Sequence, residues 1–578
     1  MCSPFLSCLS LFLLALSPVA AIWPAPQSLT KDSSVLYLHQ NIQVTYNGAS
    51  MSYIYGYVPS KLTGKEVVQA GVSRTLAGIF NSQFVPWKLH KPHSNWEPDP
   101  SQGQKWLKTL EIVQSGQDQP STFKAGEVDE SYNLTLSAEG DVKLNAVSSI
   151  GVLYGLETFS QLFYQHSTGI FWYTPYASVL IQDAPQFPHR GVMIDTARHF
   201  FPVSDILRTI DAMAWNKLNR LHVHVTDSQS WPLVLPSMPE VSEMGAYHPS
   251  QTYSPTDIDR IQRYGAERGV EVYLEIDMPG HIGAVALSHP ELIVAYNEMP
   301  FWWWCSEPPC GAFKLNSPAV DAFLEKLFDD LLPRVAPYTA YFHTGGDELN
   351  KNDSMLDDAI RSNSSTVLQP LLQKFIDTQH VRIRKAGLTP ITWEEIPLAW
   401  NVTLGKDTVV HSWLGSDSIK ALTGKGFKVI DSNYNFWYLD CGRGQWLSWA
   451  NGNAFTMGYP FNDWCSPTKS WRLVYSYDPT AGLAPEEAKL VLGGEVAVWS
   501  ETIDPANLDT LIWPRASAAG EVLWSGRRDA SGQNRSQLDA TPRLNEFRER
   551  MVLKGVRSSP VQMTFCTQGK PEECEYAL

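Results

Sequence analysis

The chain has 578 residues, 43% hydrophobic and 18% charged, the balance of a globular protein with a sizeable core. That length suits one large domain accompanied by one or two smaller ones. A formal net charge of −15 argues against nucleic acid and anionic membrane surfaces as partners.

Residues 5–16 form a short apolar run, and Pro18-Val19-Ala20-Ala21 supplies small residues for cleavage, so residues 1–21 read as a secretory signal peptide. The run is too short to span a bilayer comfortably and no later segment is long enough, so a membrane is not an expected partner. Cys2 and Cys8 would leave with the signal, and six cysteines remain, an even number suited to an oxidising compartment. Their spacing predicts pairs close in sequence: Cys305 with Cys310, Cys441 with Cys465, and Cys566 with Cys574. A zinc site is the alternative, but no Cys-x-x-Cys spacing or histidine cluster accompanies them. Sequons at Asn133, Asn352, Asn363, Asn401 and Asn534 fit a secreted glycoprotein.

Short β-like runs (Val35 to Leu38, Ile42 to Tyr46) and a helical stretch around Lys65 to Phe80 lead into Lys88 to Gln104, which reads as an exposed linker. Residues 22–98 are therefore expected to be a separate N-terminal segment and linker. A small α+β domain follows over 99–183. Trp106 to Val113, Tyr132 to Ser137 and Val142 to Ala146 read as strands, and Val152, Leu153, Leu156, Phe159, Leu162 and Phe163 recur at helical spacing.

From residue 184 to 578 apolar runs alternate with amphipathic helices such as Val203 to Lys217 and Thr256 to Arg268. Eight strands are predicted: 191–198, 220–227, 270–277, 341–348, 388–395, 408–413, 428–440 and 490–501. Eight alternating β/α units predict a closed (β/α)8 barrel with a C-terminal tail. No Gly-x-Gly-x-x-Gly turn or phosphate-binding loop is present, so no nucleotide cofactor is expected.

Barrel chemistry sits where the strands end. Here those ends are polar: Asp195 to His199, His222 to Asp227, Glu275 to His281, His343 to Glu348, Trp393 to Glu395, Trp413, Tyr434 to Asp440, and Trp499 to Glu501. Any one of them has a bland reading as an ion pair, a core histidine or packing. Together they describe a pocket with indole faces, one cation and several carboxylates, which suits a neutral polyhydroxylated ligand. His222 and His224 share one strand face with Asp227 and Asp277 nearby, so a divalent metal is a rival reading. The absence of a further histidine pair counts against it.

His343-Thr344-Gly345-Gly346-Asp347-Glu348 is the most telling run. The glycines remove side chains where something approaches the backbone. Adjacent acids repel, so one is expected to have a raised pKa and to donate a proton near neutrality.

This run resembles the signature of the family-20 glycoside hydrolases, the β-N-acetylhexosaminidases, and most closely their secreted fungal members; Asp195-Thr196-Ala197-Arg198, Trp437-Tyr438-Leu439-Asp440 and Trp513-Pro514-Arg515-Ala516 support it. The resemblance covers most of the chain. It implies a retaining mechanism in which the substrate's acetamido oxygen is the nucleophile, the exception to the two-carboxylate scheme. On an extended chain Asp347 and Glu348 would point to opposite sides, which fits a nucleophile not supplied by the enzyme. Glu348 would be the acid and base, Asp347 would orient the acetamide, and Tyr438 would donate to its oxygen. Trp393, Trp413 and Trp499 would wall the pocket, and Arg198, Asp440 and Glu501 would hold ring hydroxyls of a terminal sugar. Asp227 and His281 match positions that support the acid, and Ser500 stands where many relatives have Gly. The implied substrate is a chitooligosaccharide. The resemblance also implies a homodimer and makes residues 22–98 look like a propeptide that stays bound after cleavage, although the linker has no dibasic pair. Two other readings remain: a sugar-binding protein that lost catalysis, and an endo-chitinase, whose Asp-x-x-Asp-x-Asp-x-Glu run is missing here.

Overall fold

The computed structural model describes residues 21–117, 122–448, 462–569 and 571–576. All but the last residue of the expected signal peptide lie outside them.

The N-terminal part is built on one sheet. Its strands are β1 (Ser28–Leu38), β2 (Gln43–Tyr46), β3 (Ala49–Ser50), β4 (Thr109–Gln114), β5 (Tyr132–Leu136), β6 (Asp141–Ala146), β7 (Tyr164–Gln165) and β8 (Trp172–Asp183). They run in the order β1-β8-β5-β6-β4-β2-β3, with β7 beside β8. Period-two alternation puts Tyr132, Leu134 and Leu136 of β5, and Val142, Leu144 and Ala146 of β6, on the inner face. Helices Gly64–Asn81 and Ser149–Gln161 contact one another and contribute Val68, Leu76, Ile150 and Phe159 to the core they share with the sheet.

This arrangement corrects the expected boundary at residue 98. The segment 22–98 is not a unit beside the 99–183 domain. β1 pairs with β8, β2 pairs in parallel with β4, and Leu36, Val44, Val67 and Leu76 share one core with Leu110 and Leu144. β1 and β8 lie more than a hundred residues apart and β2 and β4 more than sixty, and much of β1 is exposed, so local periodicity gives no sign of these pairings. Lys88 to Gln104 is exposed as expected, but it is a loop inside the domain.

The barrel closes from β9 (His189–Asp195), β10 (Arg220–Thr226), β11 (Glu271–Ile276), a small inserted ribbon β12–β13 (Ile293–Val294, Ala312–Phe313), β14 (Tyr341–His343), β15 (Thr389–Trp393), β16 (Val409–Ser412), β17 (Lys428–Asp431) and β18 (Val491–Val498). Eight parallel strands ring in the order β10-β11-β14-β15-β16-β17-β18-β9. Each predicted strand is present, but several are shorter. The one expected over 428–440 ends at Asp431 and passes into a helical turn, Tyr434–Trp437, so Tyr438 and Asp440 stand on a loop. β14 ends at His343, which puts Asp347 and Glu348 on a loop as well.

The residues after 527 are more than a tail. Leu544, Phe547 and Met551 of helix Gln537–Leu553 complete the barrel's outer core. The two domains meet through buried polar pairs. Arg190 of β9 binds Glu130 at 2.7 Å, and Lys217 binds Asp183 at 2.9 Å, where the Trp524 indole also donates at 3.0 Å.

Candidate active site

The strand ends surround a cavity of about 360 Å3, lined among others by Arg198, His281, Asp347, Glu348, Trp413, Tyr438, Asp440, Trp499 and Glu501. Nine of the eleven expected catalytic and substrate-contacting residues therefore face one space. The other two stand behind it. Trp393 is buried, its ring stacked on His411 with centroids 4.2 Å apart and its N–H given to Glu275 at 2.8 Å. It backs Trp499, 6.4 Å away, and is not a wall in direct contact with the cavity. Asp227 is buried beneath Arg198 and His281.

The loop after β14 is shaped by its glycines. Gly345 and Gly346 have φ of 61° and 108°. A Cβ on Gly345 would collide with the Asp277 carboxylate, and one on Gly346 would meet Ile396 Cγ1 at 2.5 Å. Asp277, at the end of β11, accepts the Gly346 N–H at 2.7 Å and so braces this turn. Glu348 itself has φ 51°, and His281 has φ 53°. Two non-glycine residues in the left-handed region, in contact with each other, are strain concentrated where it is held by the surrounding structure. This turn also replaces the extended-chain argument for Asp347 and Glu348: they diverge because the backbone turns left-handed at Glu348.

Charges divide sharply within a few ångströms. His281 Nε2 lies 3.4 Å from Glu348 and its Nδ1 3.2 Å from Asp227. Burial would lower the His281 pKa, but the carboxylates of Asp227 and Asp347 carry it well above the ordinary imidazole value. Burial likewise pushes Glu348 up, but His281 prevails and leaves Glu348 below the ordinary carboxyl value. Asp347 is raised instead, by burial first, and Asp277 more so, by burial and then by Asp347. Polar atoms of Asp277, His281 and Asp347 lie within 4.8 Å of one another, and both Asp277 Oδ2 and Asp347 Oδ1 are buried without another partner. The adjacent-acid expectation thus lands on Asp347, while the proton of the Glu348–His281 pair rests on the imidazole.

At the far side, Arg198 meets Asp195 at 3.2 Å, Asp227 at 2.9 Å and Glu307 at 2.5 Å, with its guanidinium 5.1 Å over the Trp499 ring. Asp440 accepts the backbone N–H of Trp499 at 3.4 Å, and burial raises its pKa to about 7. Burial also raises Glu501, with Glu307 and Asp440 adding to the rise against Arg198. Trp413 stacks on Tyr438 at 6.1 Å and gives its N–H to Glu395 at 2.9 Å. Ser500 is used structurally: its N–H binds Asp195, and its hydroxyl accepts from the His199 N–H.

Sequence reasoning missed Glu307 and Trp464, and it placed Glu395 at a strand end without giving it a role. Glu307 and Trp464 reach the cavity on disulfide-pinned segments. The three expected disulfides are present, Cys305–Cys310, Cys441–Cys465 and Cys566–Cys574. The first two bonds pin the loops that bring Glu307 and Trp464 to the cavity, a placement that the cysteine spacing alone did not indicate. For the rival metal reading of His222 and His224, the structure brings the further histidines His343 and His411 beside His222, with carboxylates among them. His222 lies 3.2 Å from Glu495 and 2.9 Å from Glu275, and His224 lies 2.7 Å from Glu275 and 2.8 Å from Asp227, so carboxylates face both nitrogens of each ring.

Comparison with known proteins agrees with this geometry. The family model described as glycosyl hydrolase family 20, catalytic domain, matches residues 187–527, and one described as beta-acetyl hexosaminidase like matches residues 22–162. The chain belongs to glycosyl hydrolase family 20. It is 39% identical to a beta-hexosaminidase of Arthroderma benhamiae over 95% of this chain and 96% of that one. It is 36% identical to a chitooligosaccharidolytic beta-N-acetylglucosaminidase of Bombyx mori, over 77% of this chain and 74% of that one. Among solved structures, a Flavobacterium johnsoniae chitobiase superposes with a TM-score of 0.70 at 26% identity, over 93% of this chain and 73% of that one. The family-20 match to residues 22–162 spans the supposed boundary at residue 98, in line with the single sheet.

Proposed function

We propose that this glycoside hydrolase is an exo-acting β-N-acetylhexosaminidase that removes terminal non-reducing GlcNAc from chitooligosaccharides and glycans. The observation that carries the reading is the joint presence of Asp347, Glu348 and Tyr438 on one cavity whose far side is closed by Arg198, Asp440 and Glu501. A cavity with such an end takes a chain terminus.

The acetamido oxygen of the bound sugar attacks the anomeric carbon while the bond to the leaving oxygen breaks. Glu348 delivers the proton to that oxygen, drawing on the single proton of its pair with His281. Filling the cavity removes water from the ion pair, which favours moving that proton from His281 to Glu348. The product of this step is a cyclic oxazolinium ion. Asp347 faces its nitrogen and balances the growing positive charge, and Tyr438 donates to the acetamide oxygen. Glu348 then takes a proton from water as it adds to the anomeric carbon, and the configuration is retained. Arg198, Asp440 and Glu501 hold ring hydroxyls, and Trp413 and Trp499 pack against the sugar.

Secretion is part of the same reading, supported by the N-terminal apolar run and three disulfides. No helix among the described residues is long and apolar enough to cross a membrane. Asn133, Asn363, Asn401 and Asn534 are exposed, and Asn352 half-exposed, as glycan acceptors require. Cleavage in the exposed loop 88–104 would leave the preceding segment held by β1–β8 pairing, the form in which a propeptide stays attached to a homodimer of mature chains.

Glu348→Gln tests the assignment. Turnover of para-nitrophenyl β-GlcNAc should fall by about 10³-fold or more, with binding of a competitive inhibitor retained; unchanged turnover would sink it.

A further inference from the structure

Beneath the cavity a series of closely spaced alternating carboxylates and imidazoles runs through the barrel interior. Glu495 on β18 faces His222 Nδ1 at 3.2 Å, and His222 Nε2 faces Glu275 Oε2 at 2.9 Å. Glu275 Oε2 faces His224 Nδ1 at 2.7 Å, and His224 Nε2 faces Asp227 at 2.8 Å. Asp227 then meets His281, and His281 meets Glu348. Glu275 stands at the centre. Its other oxygen accepts the Trp393 N–H at 2.8 Å and lies 3.1 Å from His343 Nδ1. One fully buried carboxylate therefore touches the support of the acid, the first residue of the Asp347–Glu348 loop and the indole behind Trp499.

We propose that Glu275 is a positioning residue for the reaction, holding His224 charged so that Asp227 and His281 present the proton to Glu348, and fixing Trp393 beneath the sugar. It touches no part of the cavity surface and acts only through these neighbours. The groups facing it are His222 and His224 from β10, Tyr273 and Asp277 from its own strand, His343 and Asp347 from β14 and its loop, Trp393 from β15, and Glu495 across His222. Of these, His222 and His224, both raised above the ordinary imidazole value, carry the balancing charge, and the Trp393 N–H donates a hydrogen bond.

The consequence is specific. Burial would lower the His224 pKa, but Glu275 and then Asp227 raise it to about 10, so His224 stays charged across the working range. Without the Glu275 charge its ionisation falls back towards the ordinary imidazole value near 6.5. A proton in the support of Glu348 then comes and goes within the range where the enzyme operates.

The inference rests on the hexosaminidase reading, and wild-type turnover of para-nitrophenyl β-GlcNAc separates the two: no wild-type activity refutes that reading, not this one. In full-length Glu275→Gln, kcat should drop by about 100-fold, the cost of a small misplacement at the reacting centre. Its pH profile of kcat/KM should gain, between about pH 5 and 8, one inflection beyond those of wild type, where Asp440 already titrates at about 7. Glu275→Asp, which keeps the charge, should recover the wild-type profile shape. Trp393→Phe, which removes the N–H that Glu275 accepts and shortens the ring stacked on His411, should lower kcat without adding an inflection, and it stands in if Glu275→Gln does not fold. A wild-type profile and kcat in Glu275→Gln, or in its absence a wild-type kcat in Trp393→Phe, overturns the proposal.

Discussion

Two groups of buried acids lie within one barrel and behave oppositely. In the interior, Glu275 and Glu495 are as desolvated as any group in the protein, yet His343, His224 and His222 around the first, and His189 and His222 around the second, hold both well below the ordinary carboxyl value. At the mouth, Asp277, Asp347, Glu395, Asp440 and Glu501 are all raised, because burial acts on them and the neighbours are chiefly other acids. Of the cations there, His281 is taken up by Asp227 and Glu348, and Arg198 is already shared among Asp195, Asp227 and Glu307. The interior is a neutralised scaffold. The mouth keeps carboxyl groups poised to accept hydrogen bonds from sugar hydroxyls or to receive developing positive charge.

The sharpest way to break this contrast is to remove charge at the mouth. Asp347→Asn should cut kcat by about 10²–10³-fold, the scale for one group aimed at developing charge, while the fold survives because the raised acid loses little by being neutral. Circular dichroism and thermal melting measure the second half of that statement. The complementary change in the interior is Glu495→Gln. It leaves His189 and His222 without the anion that holds them, and should lower unfolding free energy by about 3 kcal/mol in denaturant titration, as when one partner of a buried pair is deleted. KM should change little, because Glu495 does not line the cavity.

The smallest expected effect concerns pH. Burial, and then Asp347 and Glu394, raise Glu395 to about 9. A carboxyl raised in the fold contributes stability that is fully present below its unfolded value, near 4.3, and is lost as pH rises through about 9. Glu395→Gln removes that loss. Its Tm should exceed wild type by about 2 °C near pH 8 and by less near pH 5. An equal gain at both would place the effect in packing, not charge.

Much of this arrangement was legible in the residues. The eight barrel strands announce themselves because each is a short apolar run between amphipathic helices, and the catalytic loop because two glycines precede two acids. What was not legible depends on distance along the chain. β1 joins β8 across some 140 residues, so the segment 22–98 looked detached from a sheet it belongs to. Trp393 looked like a wall because an indole at a strand end suits one, yet the buried Glu275 draws its N–H inward. Glu307 carried no signal beyond the Cys305–Cys310 pair that folds its loop over Arg198. Which member of the Asp347–Glu348 pair is raised follows from His281, nearly seventy residues away, whose partner could not be read from local sequence.

The central claim is that the nucleophile belongs to the substrate and that Asp347 and Glu348 serve it. Rates on para-nitrophenyl β-GlcNAc and para-nitrophenyl β-glucoside, which share a leaving group and differ in the acetamido group, test it directly. The account predicts that kcat/KM on the glucoside falls by about 10³-fold or more, since an attacking group already held in place is removed. Comparable rates on the two glycosides would contradict it.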